Sequence, residues 1–143
     1  MGDNEIRSGT MHLGDEEFVR AFESCELDGE LFHHADHVRL AWIYISQYGE
    51  QAATELMLTG IRLFADHIGK LQKFHYTQTC AWVRLIAAAH RSSPDLTSFA
   101  EFVGTHRHLL DANVLGRFYS KILLESPAAR AAWVEPDLSP ILP

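Results

Sequence analysis

Apolar residues recur at spacings of three and four along most of this chain. No stretch alternates over the length a strand needs. Phe18, Ala21, Phe22 and Cys25 predict a short amphipathic helix over 15–26, with Asp15 as N-cap. Leu27-Asp28-Gly29-Glu30 reads as a turn. A second helix is predicted over 34–48. At about 100° per residue, His34, His37, Val38, Ala41, Ile45 and Tyr48 share its inward face, and Asp36, Arg39 and Gln47 lie towards the other side. Gly49 ends it.

A third helix follows over 50–68, with Leu56, Gly60, Leu63, Phe64 and Ile68 as its apolar stripe. Gly60 costs about 1 kcal/mol against Ala inside a helix, which points to a close helix contact there. Thr77 predicts the start of a fourth helix over 78–91, apolar nearly all round, with His75 just before it. Arg84 interrupts that apolar surface and calls for a carboxylate partner, for example Glu55 or Asp66, with an anionic ligand as the alternative. Short helices are predicted over 95–103 and 107–119. Ser126-Pro127 opens a last one that ends near Val134. Residues 1–13 have little periodicity and predict a mobile tail. The expectation is an all-α fold with no sheet: a single irregular bundle of about six or seven helices over residues 14–143.

Composition narrows the function classes. The chain has 143 residues, 47% hydrophobic and 22% charged, enough for a core. Its formal net charge of -7 argues against nucleic acid and against an anionic membrane surface, whose binding rests on Lys and Arg. No apolar run reaches membrane-spanning length, and the polar N-terminus has no signal-peptide core. Ile6 breaks a myristoylation pattern. A cytoplasmic protein is expected. Cys25 and Cys80 make no disulfide framework. An oligomer is compatible with the sequence but has no signature in it.

The chemistry concentrates in histidine. His34 and His37 stand three apart on the inward face of the second helix, so two imidazoles can meet one ion. His75, at the mouth of the other apolar helix, is the best third ligand. His67 and Asp36 are weaker ones, and His33, four residues before His37, makes an overlapping pair with it. His34, His37 and His75 would then hold a divalent metal such as zinc, iron or nickel, with a water in the open position. The alternative is a metal-free pocket for a small-molecule ligand, in which Tyr44, Thr77, Thr79 and Trp82 add hydrogen bonds and an aromatic wall. A third reading is a helical interaction module whose histidines are satisfied core residues. Arg130 and Asp137 are expected to pair and dock the tail. The chain has no Gly-x-Ser-x-Gly, phosphate-cradling Gly loop or zincin motif.

Phe32-x-His34-x-x-His37-Val38, Phe74-His75-x-Thr77-x-Thr79 and Ala129-Arg130 with Pro136-Asp137-Leu138 together resemble a family of small bacterial helical proteins. That family shows an aromatic-x-His-x-x-His-Leu motif, a Tyr-His-x-Thr-x-Thr motif and a closing Ala-Arg…Pro-Asp-Leu. The resemblance spans most of residues 15–142. Val38 and Phe74 depart mildly from it, and His33 is an addition. The resemblance implies one helical domain and draws attention to His34, His37 and His75. It implies no reaction, because the family has no assigned activity.

Overall fold

Three long helices frame the molecule. The computed structural model describes residues 10–142, and among them it contains seven α-helices, four 3-10 turns and no strand. The helices are α1 (Asp15–Glu23), α2 (His34–Tyr48), α3 (Glu50–His67), α4 (Tyr76–Ser92), α5 (Phe99–Thr105), α6 (Lys121–Leu124) and α7 (Pro127–Ala131). The 3-10 turns are Gly29–Leu31, Leu71–Lys73, Arg107–Leu110 and Val114–Arg117. α2, α3 and α4 each pack against the other two. Gly49, at φ +88, ends α2 and reverses the chain into α3, a backbone conformation that favours glycine.

α2 is buried nearly all round. Ten of its 15 residues are buried, from Ala35 to Ile45. Such a helix needs a cover on every side. α3 and α4 supply two covers and the turn at Arg107–Leu110 another. Residues 10–15 cover the remaining side. They bury Asp36 and Arg39, which are 1% and 4% exposed, where the sequence predicts a polar face. The Thr10 hydroxyl donates to the Asp36 carboxylate, which also accepts from the His33 backbone N–H at 2.8 Å. Arg39 donates to the carbonyls of Thr10 and Leu13 and to the Asp15 carboxylate at 2.9 Å, and its guanidinium lies over Phe18. Asp15 is therefore not the N-cap of α1. Gly14 holds that position, and the Asp15 carboxylate answers Arg39 instead. Thr10 is buried, so the expected tail is docked from residue 10, and residues 1–9 lie outside the described residues. Tyr48, expected inside, is 60% exposed at the end of α2.

Several boundaries move for local reasons. α4 starts at Tyr76 because His75, not Thr77, is its N-cap. The expected helix over 107–119 is instead two 3-10 turns, separated where Asp111 accepts from the Asn113 N–H. Ser98 caps α5, which starts later than expected and runs on to Thr105. α7 ends at Ala131, after which the C-terminal segment crosses the start of α4. That segment closes a second core of Ala81, Leu115 and Tyr119 against Trp133 and Val134.

Two expected ion pairs give way to other contacts. Arg130 donates to the carbonyls of Gln72 and Phe74, while Asp137 accepts from the Ser120 N–H at 2.7 Å. Arg84 is exposed and sits over the Trp133 ring at 4.2 Å, so its charge is not buried and needs no carboxylate partner. On α3, Leu63 is also exposed, and the buried stripe is Ala53, Met57 and Phe64.

Gly60 is the close contact anticipated. A Cβ there would sit 2.8 Å from the Phe22 ring, which is held between Phe32 and Phe64. Gly60→Ala should cost about 1–2 kcal/mol, because the clash outweighs the helix-propensity gain. Gly104→Ala, with nothing within 4 Å of the new methyl, should stabilise by up to about 1 kcal/mol. Urea denaturation reads both, and a stabilising Gly60→Ala would mean that Phe22 repacks freely. By the same method Arg39→Met should cost about 2–3 kcal/mol, since it strands buried carbonyls. Asp15→Asn should cost less than about 1 kcal/mol, because Asp15 is half exposed. Equal losses in the two variants would refute that division.

Candidate functional site

α2 and α4 begin side by side, each preceded by the same dipeptide. Phe32-His33 leads into α2 and Phe74-His75 into α4. Between the two starts lies a cavity of about 320 Å³. Phe32, Val38, Ala41 and Trp82 form one part of its apolar lining; Met57, Ile61, Phe74 and Ile86 form the rest. The polar lining is His33, His34, His37, Lys73, His75, Gln78 and Thr79. His33 and Lys73 are exposed and mark the rim.

The structure brings His34, His37 and His75 to one cavity but gives each ring a different task. His34 Nε2 donates to the Leu109 carbonyl at 2.9 Å, which leaves the lone pair on Nδ1. Its ring packs on Trp82 with centroids 4.5 Å apart. Burial lowers its pKa, against the pull of the Leu109 carbonyl and Asp111. His75 has both nitrogens engaged. Its Nδ1 accepts from the Gln78 N–H at 3.1 Å and its Nε2 donates to the Leu124 carbonyl at 2.6 Å. Burial lowers its pKa as well, with the Arg130 charge adding to the effect and the Leu124 carbonyl opposing it.

His37 is the free ring. It packs against Phe32, centroids 4.4 Å apart, and neither nitrogen has a hydrogen-bond partner among the described residues. Burial first, and His34 second, push its pKa down to about 4. It is therefore neutral at pH 7, with one N–H and one lone pair to offer.

Of the remaining anticipated residues, Trp82 and Thr79 are on the wall. The Thr79 hydroxyl, however, donates to the His75 carbonyl of its own helix. Thr77 and Tyr44 are elsewhere. Thr77 is fully buried and clamps the C-terminal segment, donating to the Ala132 carbonyl at 2.8 Å and accepting from the Val134 N–H at 3.2 Å. Tyr44 donates to Glu23 at 2.6 Å between α2 and α1, and burial together with Glu23 raises its pKa. His67 is exposed at the end of α3, and Asp36 faces the N-terminal segment; neither lines the cavity. The sequence reading missed Phe32, Met57, Lys73 and Gln78. The repeated Phe-His before each helix was the available signal, because it places two equivalent turns at one end of the bundle.

Among the described residues no group of three His, Cys, Asp or Glu side chains is placed to hold a metal ion. The lone pair of His75, on Nδ1, is held by the Gln78 N–H, so this ring would have to give up that helix cap to become a ligand. His34 and His37 remain as a pair. No protein-family model, curated protein or solved structure matches this chain. The resemblance to the bacterial helical family thus rests on its motif residues alone.

His37 ties stability to pH. Its folded pKa, about 4, lies below the ordinary histidine value of 6.5, so the unfolded chain binds the proton first. Stability is complete above pH 6.5 and falls as the pH drops towards 4, by at most about 3 kcal/mol from this residue. His34 and His75 act with the same sign. In urea melts from pH 7.5 to 4, His37→Gln should flatten the curve relative to the native chain. Parallel curves would show that His37 titrates normally.

Proposed function

We propose that this protein binds a small organic molecule in the cavity between the first turns of α2 and α4, without a metal. The observation that carries this reading is His37. This polar ring, with no hydrogen-bond partner among the described residues, lines the cavity beside the Phe32 ring, and a ligand there would meet its free N–H and lone pair. The volume of about 320 Å³ falls in the range of small-molecule sites, about 300–1,000 Å³. Open space beside the histidines also argues against their being packed core residues.

Binding is favoured over acid–base catalysis by the same ring. An imidazole with a pKa of about 4 is a weak proton acceptor near neutrality, where a general base works best with a pKa close to the ambient pH. His37 is suited to orient a ligand through one hydrogen bond, with Trp82 and Phe32 as its flat walls.

A divalent ion on His34 and His37 is the second reading. It is favoured by the two uncharged rings one helical turn apart on one wall, since metal ligation requires the neutral form. Solvent or a ligand would complete such a site.

A thermal-shift screen of small organic compounds against the untagged protein tests both. A true ligand at about 100 times its Kd should add about 2.7 kcal/mol, which is several degrees in Tm. Ile61→Trp should fill the cavity and abolish the shift while the unliganded Tm holds. Shifts unchanged by Ile61→Trp would place binding elsewhere. Stoichiometric metal by plasma mass spectrometry, lost in His37→Ala, would move the assignment to the second reading.

A further inference from the structure

We infer that the ligand of this cavity is a small organic acid: an apolar, preferably flat body carrying a single carboxylate or comparable anionic head. The inference rests on the pocket reading above and names the chemistry of its occupant.

The chain carries 19 Asp and Glu against 12 Lys and Arg, yet no Asp or Glu lines the cavity. The one formally charged side chain on its wall is Lys73, at the rim. In an acidic protein this is a local reversal of sign, and it disfavours a cationic guest. The aromatic walls alone would suit an ammonium group, but such sites gain most when desolvated, and here Lys73 opposes the guest's charge.

The donors at the wall also suit an anion. Gln78 offers an amide N–H₂ and His37 an imidazole N–H, so a carboxylate's two oxygens would have donors to meet. α2 and α4, of 15 and 17 residues, both start at this cavity, and the positive ends of their dipoles add to the same preference. Asp36 stands in the first turn of α2, but its carboxylate faces Thr10, on the side that the N-terminal segment covers. Of the other polar lining, His75 and Thr79 are spent on bonds within the protein, so the body of the ligand meets chiefly the eight apolar wall residues and is hydrocarbon or aromatic.

Three probes of nearly one shape separate the possibilities: 3-phenylpropanoate, 3-phenylpropanamide and 3-phenylpropylammonium, each titrated into the full chain by calorimetry. The carboxylate should bind about tenfold tighter than the amide, and the ammonium weakest. Lys73 is exposed and outside the core, so Lys73→Glu should fold normally. It should weaken the carboxylate about fivefold, leave the amide unchanged and strengthen the ammonium. A purely structural role for Lys73 would move all three together and would overturn the rim assignment. An amide or ammonium that binds as tightly as the acid overturns the inference while the pocket reading stands. If none of the three binds and Ile61→Trp leaves every screening shift unchanged, both fall.

Discussion

The burial of α2 on all sides is the constraint from which the rest of this structure follows. A helix with Val38, Leu40, Ala41, Ile43 and Ile45 spread around its circumference leaves no side for water. The chain must therefore cover it repeatedly, with α1, α3, α4, α5, the turn at Arg107–Leu110 and the segment before α1. The last of these covers is also the most polar. It brings backbone carbonyls and the Asp15 carboxylate to Arg39, which would otherwise be a lone buried cation. The covers leave a gap where α2 and α4 both begin, and that gap is the cavity.

That origin explains why the cavity is rich in histidine. A helix start leaves backbone N–H groups without partners, and a short polar side chain ordinarily supplies the acceptor. Here an imidazole does so at α4, where His75 Nδ1 meets the Gln78 N–H. A histidine brings a second nitrogen, which in His75 reaches on to Leu124. This cap therefore also spans to another element at the wall of the cavity. His37, one turn inside α2, inherits a place in that wall without a partner of its own.

Much of the framework was legible because it is periodic. The bounds of α2 agree with the sequence to the residue, since a polar cluster opens it and Gly49 closes it. The convergence of His34, His37 and His75 on one end of the bundle was legible too, because each lies at the first turn of a nearly all-apolar helix. What escaped was the hydrogen bonding of each ring. Periodicity says which way a side chain points, but Leu109 and Leu124 reach the rings from 75 and 49 residues away. Arg39 escaped for a related reason. A buried guanidinium looks like a surface one until a distant, aperiodic segment is seen to lie across it. Thr77 read as a helix cap because the true cap, His75, is rarely used that way.

His75 joins two parts of the molecule that are otherwise separate. One nitrogen fixes the first turn of α4 at the cavity, and the other holds Leu124, just before the segment that Thr77 and Tyr119 fasten through Ala132 and Val134. The cap of α4 at the cavity and the hold on Leu124 thereby share one ring. Linkage is reciprocal: a guest that drew on His75 would loosen the C-terminal strap, and a partner that peeled the strap away would change the affinity of the cavity by the same factor. One helix cap thus ties the wall of the cavity to the segment that crosses the start of α4.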